Sequence, residues 1–439
     1  FHTNTQLQQT LPHTIMVKKE SSLRNLMTTT KREPSLRNLM TTKKESSLRN
    51  LVSNIGTGIN NKREQLRELR KQGSIKNMVA NMQNNKKVRA TIQTCQLHPN
   101  PDYEELGCLH FKYAGDSMEQ AMAEAIATDR PIMIVFQELP GCRTCLKFGQ
   151  DVLSHPLIVE AAETLFVPIV VNNRGITPGD SSVLDFYREP RLNNPVVRFV
   201  SGKTGKDISA RVSDGNWTVG ALAKSMVEAL EPKVQEKNLY LDLLSKEESA
   251  RDRKKEATFA MSCFWVGEVE FADLNGVLGT KAGWIGNHEV VRVTYDPEII
   301  SYANLVKAAI EKDIASTIFC ETDAERTEAE ETMAAVAATA THQSQSSSLV
   351  QQLQQNDVFR GDGDPKHALR GTTLRYVPLT ALQAAKANRC ISRGEALESL
   401  SPRQLVLFRA YTDKWMNNKT IDMEETVDVP IMEAWTTVK

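Results

Sequence analysis

No stretch of about 18 apolar residues occurs in this sequence, which excludes a membrane-spanning helix. Aromatic residues are scarce, 6% of the chain, and residues 1–90 hold almost none of them. That leaves no stacking platform for single-stranded nucleic acid, and no nucleic-acid partner is expected. There is no apolar h-region in the sequence, so no secretory signal is expected. No dinucleotide-binding glycine fingerprint is present, so no bound NAD(P) or flavin and no other cofactor is expected. Seven cysteines in 439 residues are too few for a disulfide-packed mini-protein, and their odd number leaves at least one free or paired outside the chain.

The length suits two to three domains. The net charge of zero hides an asymmetry. Residues 1–90 carry 18 Lys and Arg against 5 Asp and Glu, a surplus of 13 that the rest of the chain cancels. Within this arm a short repeat recurs (SSLRNLMTTTKRE, PSLRNLMTTKKE, SSLRNLVSN), with Leu23, Leu36 and Leu48 spaced 13 and 12 residues apart. The period is below that of a solenoid unit. The composition predicts a disordered basic arm over 1–90, with a basic helix possible over 62–89. A docking segment for an acidic surface, or a targeting segment, is the sharper reading. A chain that opens on Phe1 rather than Met reads as a fragment.

The first chemistry-bearing segment follows a continuous apolar run, Pro131 to Phe136, which has the pattern of a central strand buried on both faces. Leu139-Pro140-Gly141 interrupts it. Cys142-Arg143-Thr144-Cys145 then opens a helix-prone stretch, which places Cys142 at a helix N-terminus. There the free N–H groups favour a thiolate, and Cys145, one turn on, can resolve a mixed disulfide. Two other readings stay open: a structural zinc half-site, for which His155 is the nearby histidine, and two inert core cysteines. Further strands are expected at FVPIVV (166–171) and from Pro195 onward. This order resembles the thioredoxin-fold superfamily over about residues 112–230. The resemblance implies a disulfide-exchanging Cys142–Cys145 pair, and a cis proline facing it that matches Pro195.

Residues 231–256 are charged and helix-prone and read as a helical linker between a domain at 91–230 and one at 257–439. The second domain opens with a short strand ending near Met261, then Ser262-Cys263-Phe264-Trp265, then a helix. AGWIG (282–286), HEVVRVTYDP (288–297) and ISYANLVKAAI (300–310) follow in order. This succession resembles the A class of peptide methionine sulfoxide reductases over about residues 255–330, with an α+β fold. The resemblance implies Cys263 as the nucleophile. It makes Phe264 and Trp265 the walls of a pocket for the substrate S-methyl group, and Glu289 the proton donor to the sulfoxide oxygen. Trp284 stands where the family has a tyrosine, and the family's second tyrosine is missing from Lys312–Phe319. Glu268 reads as a solvated helix charge and His288 as a surface residue.

The C-terminal region reads as an Ala-rich helix passing into a Gln/Ser stretch, a polar loop over 361–380, and helices beginning at Thr380 and Ser401-Pro402. Asp364, Lys366 and His367 form a polar cluster in that loop. By the family pattern Cys390, then Cys320, is the candidate resolving cysteine; a buried inert cysteine is the alternative for each.

The whole reads as an α/β thioredoxin-like domain followed by an α+β, reductase A-like domain with a helical extension. Its expected substrates are oxidised methionine-containing proteins or free methionine sulfoxide, with an external thiol reductant. The alternative is a general thiol–disulfide oxidoreductase whose second domain binds substrate without reacting. Free thiols and the missing signal point to a reducing interior, cytoplasmic or reached by organelle import.

Overall fold

The computed structural model describes residues 95–191, 194–339 and 349–438. The expectations for the basic arm, its repeat and the helix at 62–89 lie outside these residues. All described residues fall in one unit, Lys71–Lys439.

The first sheet contains β1 (Tyr113–Ala114), β2 (Ile132–Gln137), β3 (Val167–Asn172) and β4 (Val196–Val200), in the order β1-β3-β2-β4. β2 runs parallel to β3 and antiparallel to β4. The apolar run predicted as a central strand is β2, and every residue of it is buried. Both faces must then be covered, and they are. Ile132, Ile134 and Phe136 meet α1 (Met118–Thr128) and α4 (Pro178–Tyr187). Met133 and Val135 meet α2 (Arg143–Asp151) and α3 (Pro156–Leu165). α5 (Val219–Ala229) completes this module.

Residues 231–256 are mostly helical, as expected, and the segment is packed into the fold rather than standing free. α6 (Pro232–Lys237) and α7 (Leu239–Ser249) fill most of the segment, and Lys255 and Glu256 already belong to β5 (Lys255–Ala260). The reason lies in spacing that the high charge content obscures. Tyr240, Leu241 and Leu244 form one apolar stripe, buried to 1% exposure or less against α5. Each of the two leucines contributes roughly 1.5–3 kcal/mol of burial.

The second sheet has the order β10-β6-β7-β5-β8-β9. Its members are β5, β6 (Val277–Ile285), β7 (His288–Tyr295), β8 (Thr317–Cys320), β9 (Leu349–Gln352) and β10 (Arg360–Gly361). Pairing is antiparallel except for β8 with β9. α8 (Phe264–Ala272), α9 (Tyr302–Glu311) and α10 (Asp323–Thr339) accompany this sheet. The short α11 (His367–Arg370) follows β10, and then come α12 (Ala381–Arg393), α13 (Pro402–Met416) and α14 (Ile431–Trp435). Thr380 and Ser401 begin helices as expected, and each also forms a capping box, with Gln383 and Gln404 respectively.

The C-terminal helices do not extend the second sheet alone. Leu407 and Phe408 of α13 share an apolar cluster with Leu157 and Ile158 of α3. Arg403 N–H donates to Glu160 Oε1 at 2.8 Å, and Trp435 Nε1 donates to the Cys95 carbonyl at 2.8 Å. Glu247 of α7 accepts from the first N–H groups of α12, Ala381 at 3.1 Å and Leu382 at 3.0 Å. The second sheet keeps a separate apolar cluster, around Phe259, Val291 and Ile318, while the C-terminal helices share the interior of the first.

His155 caps α3 inside that interior. It is fully buried, its Nδ1 has no partner, and burial, followed by nearby Arg251, pushes its imidazole down to about 3. The unfolded chain takes up this proton near pH 6.5, whereas the folded chain does so only near 3. Stability from this residue is thus complete above pH 6.5 and is lost as pH falls toward 3, by at most about 1.4 kcal/mol per pH unit. Urea unfolding at pH 7 and pH 5 should show a smaller loss in His155→Gln than in the parent. Equal losses would contradict the assignment.

Candidate functional site

Two thiol sites are built by different elements. At the first, β2 ends at Gln137 and the chain turns through a cis Leu139–Pro140 bond and Gly141, at φ +116°, into Cys142, the N-cap of α2. Cys142 Sγ accepts from Cys145 N–H at 3.2 Å, so the two cysteines stand one turn apart as their spacing predicts. Glu105 Oε1 accepts from Gly141 N–H at 2.9 Å, and Asn172 Nδ2 donates to the Leu139 carbonyl at 2.7 Å. Gly149 in α2 lets the helix press against the turn carrying Glu105; a Cβ there would lie 2.3 Å from the Glu105 carbonyl. Cys142 is 3% exposed and Cys145 0%. Burial, and then the hydrogen bond with Cys142, raises the Cys145 thiol far above its ordinary range.

Pro195 differs from expectation in one respect. β4 pairs with β2 so that Val196 lies opposite Phe136, which brings Pro195 to the CxxC end of the sheet. Its peptide bond is not cis; among the described residues the cis bond is Leu139–Pro140, inside the turn itself. Asn173 Nδ2 holds the Asn194 carbonyl at 2.8 Å, and Trp217 Nε1 holds that of Pro195 at 2.8 Å.

At the second site β5 gives way to Met261-Ser262, and Cys263 is the N-cap of α8. Cys263 is half-buried and its thiol is free. Glu289 on β7 is half-buried too, and its Oε2 accepts from Phe264 N–H at 3.2 Å. The carboxylate therefore meets the first turn of α8 one residue beyond the thiol. Phe264 is buried between two indoles, with ring centroids 5.5 Å from Trp265 and 5.4 Å from Trp284. Trp284 Nε1 donates to Asp362 Oδ2 at 2.8 Å, and Trp265 Nε1 to the Asp364 carbonyl at 3.1 Å. His367 stacks on Trp265 at 4.1 Å, and its Nδ1 lies 2.5 Å from Asp364 Oδ2.

Behind this site lies a group that the sequence concealed. Glu268 is not solvated; it is fully buried on α8. Its Oε2 accepts from Lys366 N–H at 2.7 Å, and the equally buried Lys366 ammonium lies 3.7 Å from its Oε1. The ammonium also donates to the Thr280 carbonyl at 2.7 Å and to Asp428 Oδ1 at 3.0 Å. Burial raises the Glu268 carboxyl while Lys366 pulls it down. His288 is exposed, as expected.

The two cysteines expected to resolve Cys263 are elsewhere. Cys320 is fully buried in β8 against Tyr302, its Sγ 3.4 Å from the hydroxyl, and burial raises its thiol. Cys390 sits on α12 where that helix meets the far end of α8. There Lys386 Nζ donates to the Ala272 carbonyl at 2.7 Å, and Arg389 Nε to Asp273 at 2.8 Å. Nine residues of helix, about 13.5 Å, separate that end from Cys263. Burial raises the Cys390 thiol as well. Among the described residues no group of three or more His, Cys, Asp or Glu gathers as a metal site, and no helix is long and apolar enough to cross a membrane.

The fold and the two thiols define a thioredoxin-like module joined to a second, mixed module whose cysteine caps a helix. Residues 114–202 match a family model described as thioredoxin-like. Part of the chain is similar to peptide methionine sulfoxide reductases MsrA. It is 34% identical over 71 residues to that of Methanothermobacter thermautotrophicus, covering 12% of this chain and 42% of that protein. It is 40% identical over 68 residues to that of Klebsiella pneumoniae, covering 12% and 32%. The chain spans about two fifths or less of the length of these curated relatives. A solved structure of Mxr1 from Saccharomyces cerevisiae, in an unusual oxidised form, aligns over 24% of this chain and 74% of its own, with 18% identity and a TM-score of 0.21.

Proposed function

We propose that the protein is a thiol oxidoreductase that reduces peptide methionine-S-sulfoxide at Cys263. The observation that carries the reading is the placement of Glu289 at the first turn of α8, beside a half-buried cysteine and an aromatic pocket. The Cys263 thiolate attacks the sulfoxide sulfur, and Glu289 delivers a proton to its oxygen. The methionine sulfur gains two electrons and leaves as the sulfide. Cys263 loses two and keeps the oxygen as a sulfenic acid. A second thiol then displaces water from that acid and forms a mixed disulfide. Cys142 attacks the second thiol's sulfur in this disulfide and releases the Cys263 thiol; Cys145 then attacks Cys142 and releases the second thiol, and an external thiol reductant reopens the Cys142–Cys145 pair. Phe264 and Trp265 bind the S-methyl group, and Pro195 lines the approach to the CxxC pair.

A coupled assay with dithiothreitol on the separate S and R epimers tests this. The S epimer should turn over and the R epimer should not. Glu289→Gln, which keeps an acceptor for Phe264 N–H but has no acidic proton, should lower kcat by about 10²–10⁴-fold. No turnover of either epimer by the intact protein would overturn the proposal.

A further inference from the structure

We propose that Asp362, Asp364 and His367 form a clamp that sets the two indoles of the Cys263 pocket, with His367 as its positioning residue. The inference rests on the reading of that pocket as a methionine-sulfoxide site and assigns the part that holds its walls. Each indole N–H is tied to this one loop, Trp284 to the Asp362 carboxylate and Trp265 to the Asp364 carbonyl. The Trp265 ring would still pivot about its single hydrogen bond. The His367 ring closes that freedom by lying nearly parallel to it, at 17° and 4.1 Å, while Asp364 fixes the imidazole through Nδ1.

The clamp is itself anchored. β10 pairs with β6, placing Arg360 opposite Trp284, and Asp362 N–H donates to the Ala282 carbonyl at 3.0 Å. On the other side Lys366 adopts φ +52°, a conformation disfavoured for a side chain with a Cβ. That backbone turns its N–H onto buried Glu268. Arg370 continues the tether, reaching Glu425 and lying 3.6 Å from Asp364 Oδ1. A loop fixed at both ends presents its middle as a rigid support. An aromatic wall held this way binds a small apolar group with little ordering cost. The role is therefore in binding the S-methyl end rather than in moving protons.

Kinetics on a peptide methionine-S-sulfoxide, paired with exchange of the Trp265 indole proton, tests the clamp. The chain has five tryptophans, so the indole resonance is identified by its loss in Trp265→Phe. His367→Ala should raise KM about tenfold with kcat within threefold, and should speed exchange of the Trp265 indole proton at least tenfold. His367→Phe, which keeps a flat ring, should restore both to within threefold. An unchanged KM and exchange rate in His367→Ala would overturn the clamp. A fall in kcat that His367→Phe does not rescue would also overturn it, because the imidazole would then act chemically. Absence of turnover in the intact protein would sink the sulfoxide reading instead. The exchange rates of the Ala and Phe variants would still decide whether His367 holds Trp265.

Discussion

Cys263→Ser should reduce methionine-sulfoxide turnover to the uncatalysed background while leaving the CxxC chemistry intact. A serine hydroxyl at the start of α8 preserves the shape of the turn but offers neither a thiolate nor a sulfur that can hold the oxygen. The loss should exceed a thousandfold, because it is Cys263 that stands beside the Glu289 carboxylate and the aromatic pocket, and neither candidate resolving cysteine nor Cys145 can take its place. Cys320 and Cys390 are buried and their thiols raised, and Cys145 is raised further still. Cys142→Ser should give the opposite pattern. With dithiothreitol supplied, sulfoxide reduction should continue within a fewfold of the parent, whereas reduction of insulin disulfides should disappear. Assaying both variants in both reactions separates the two sites. Loss of both activities in either variant would mean that the thiols act as one site.

Removing the carboxylate of Glu268 should have the largest effect on stability. Glu268→Ala leaves the Lys366 ammonium buried without its carboxylate partner on α8, and leaves the Lys366 N–H without its acceptor. Breaking a buried pair from one side costs about 3–5 kcal/mol. Asp428, at 3.0 Å and partly exposed, keeps the ammonium from being wholly unpaired and argues for the lower part of that range. Replacing both residues together, Glu268→Leu with Lys366→Met, should recover part of the loss: no fully buried charge is then stranded, although the N–H of residue 366 still lacks its acceptor. Urea titration of the parent, the single variant and the double variant decides this. A single variant within about 0.5 kcal/mol of the parent would contradict the pairing.

Local patterns were legible where one residue type permits one outcome. An unbroken apolar run such as Ile132–Phe136 needs cover on both faces, so it announced a central strand. Thr380, and Ser401 with Pro402, announced helix starts, the two hydroxyls because they accept from backbone N–H groups three residues on and the proline because it suits the first helical turn. The positions of Cys142 and Cys263 followed from strand-to-helix turns of the same local kind.

Long-range pairing was not legible. Glu268 reads as a surface charge until Lys366, 98 residues on, is seen to meet it. The hint lay in the flanking sequence, where Val269 and Phe271 give α8 an apolar character that leaves little room for a solvated face. The 231–256 segment hid its apolar stripe among many charges, and its partner helices lie before and after it in the chain. Asp364 and His367 were visible as a polar cluster, but their target, Trp265, stands about a hundred residues earlier. The cis bond fell at Pro140 and not at Pro195 because a resemblance transfers a position and not the local turn that this sequence builds with Pro140-Gly141.

The most direct measurement is a single turnover without reductant. Reduced Cys142→Ser/Cys145→Ser protein, which cannot recycle Cys263 through the CxxC pair, is mixed with excess peptide methionine-S-sulfoxide in the presence of dimedone, a trap for sulfenic acids, and the products are read by mass spectrometry. The account predicts one equivalent of methionine peptide per protein molecule and one dimedone adduct, on Cys263. Methionine formed with the adduct on another cysteine, or with Cys263 unmodified, would contradict it.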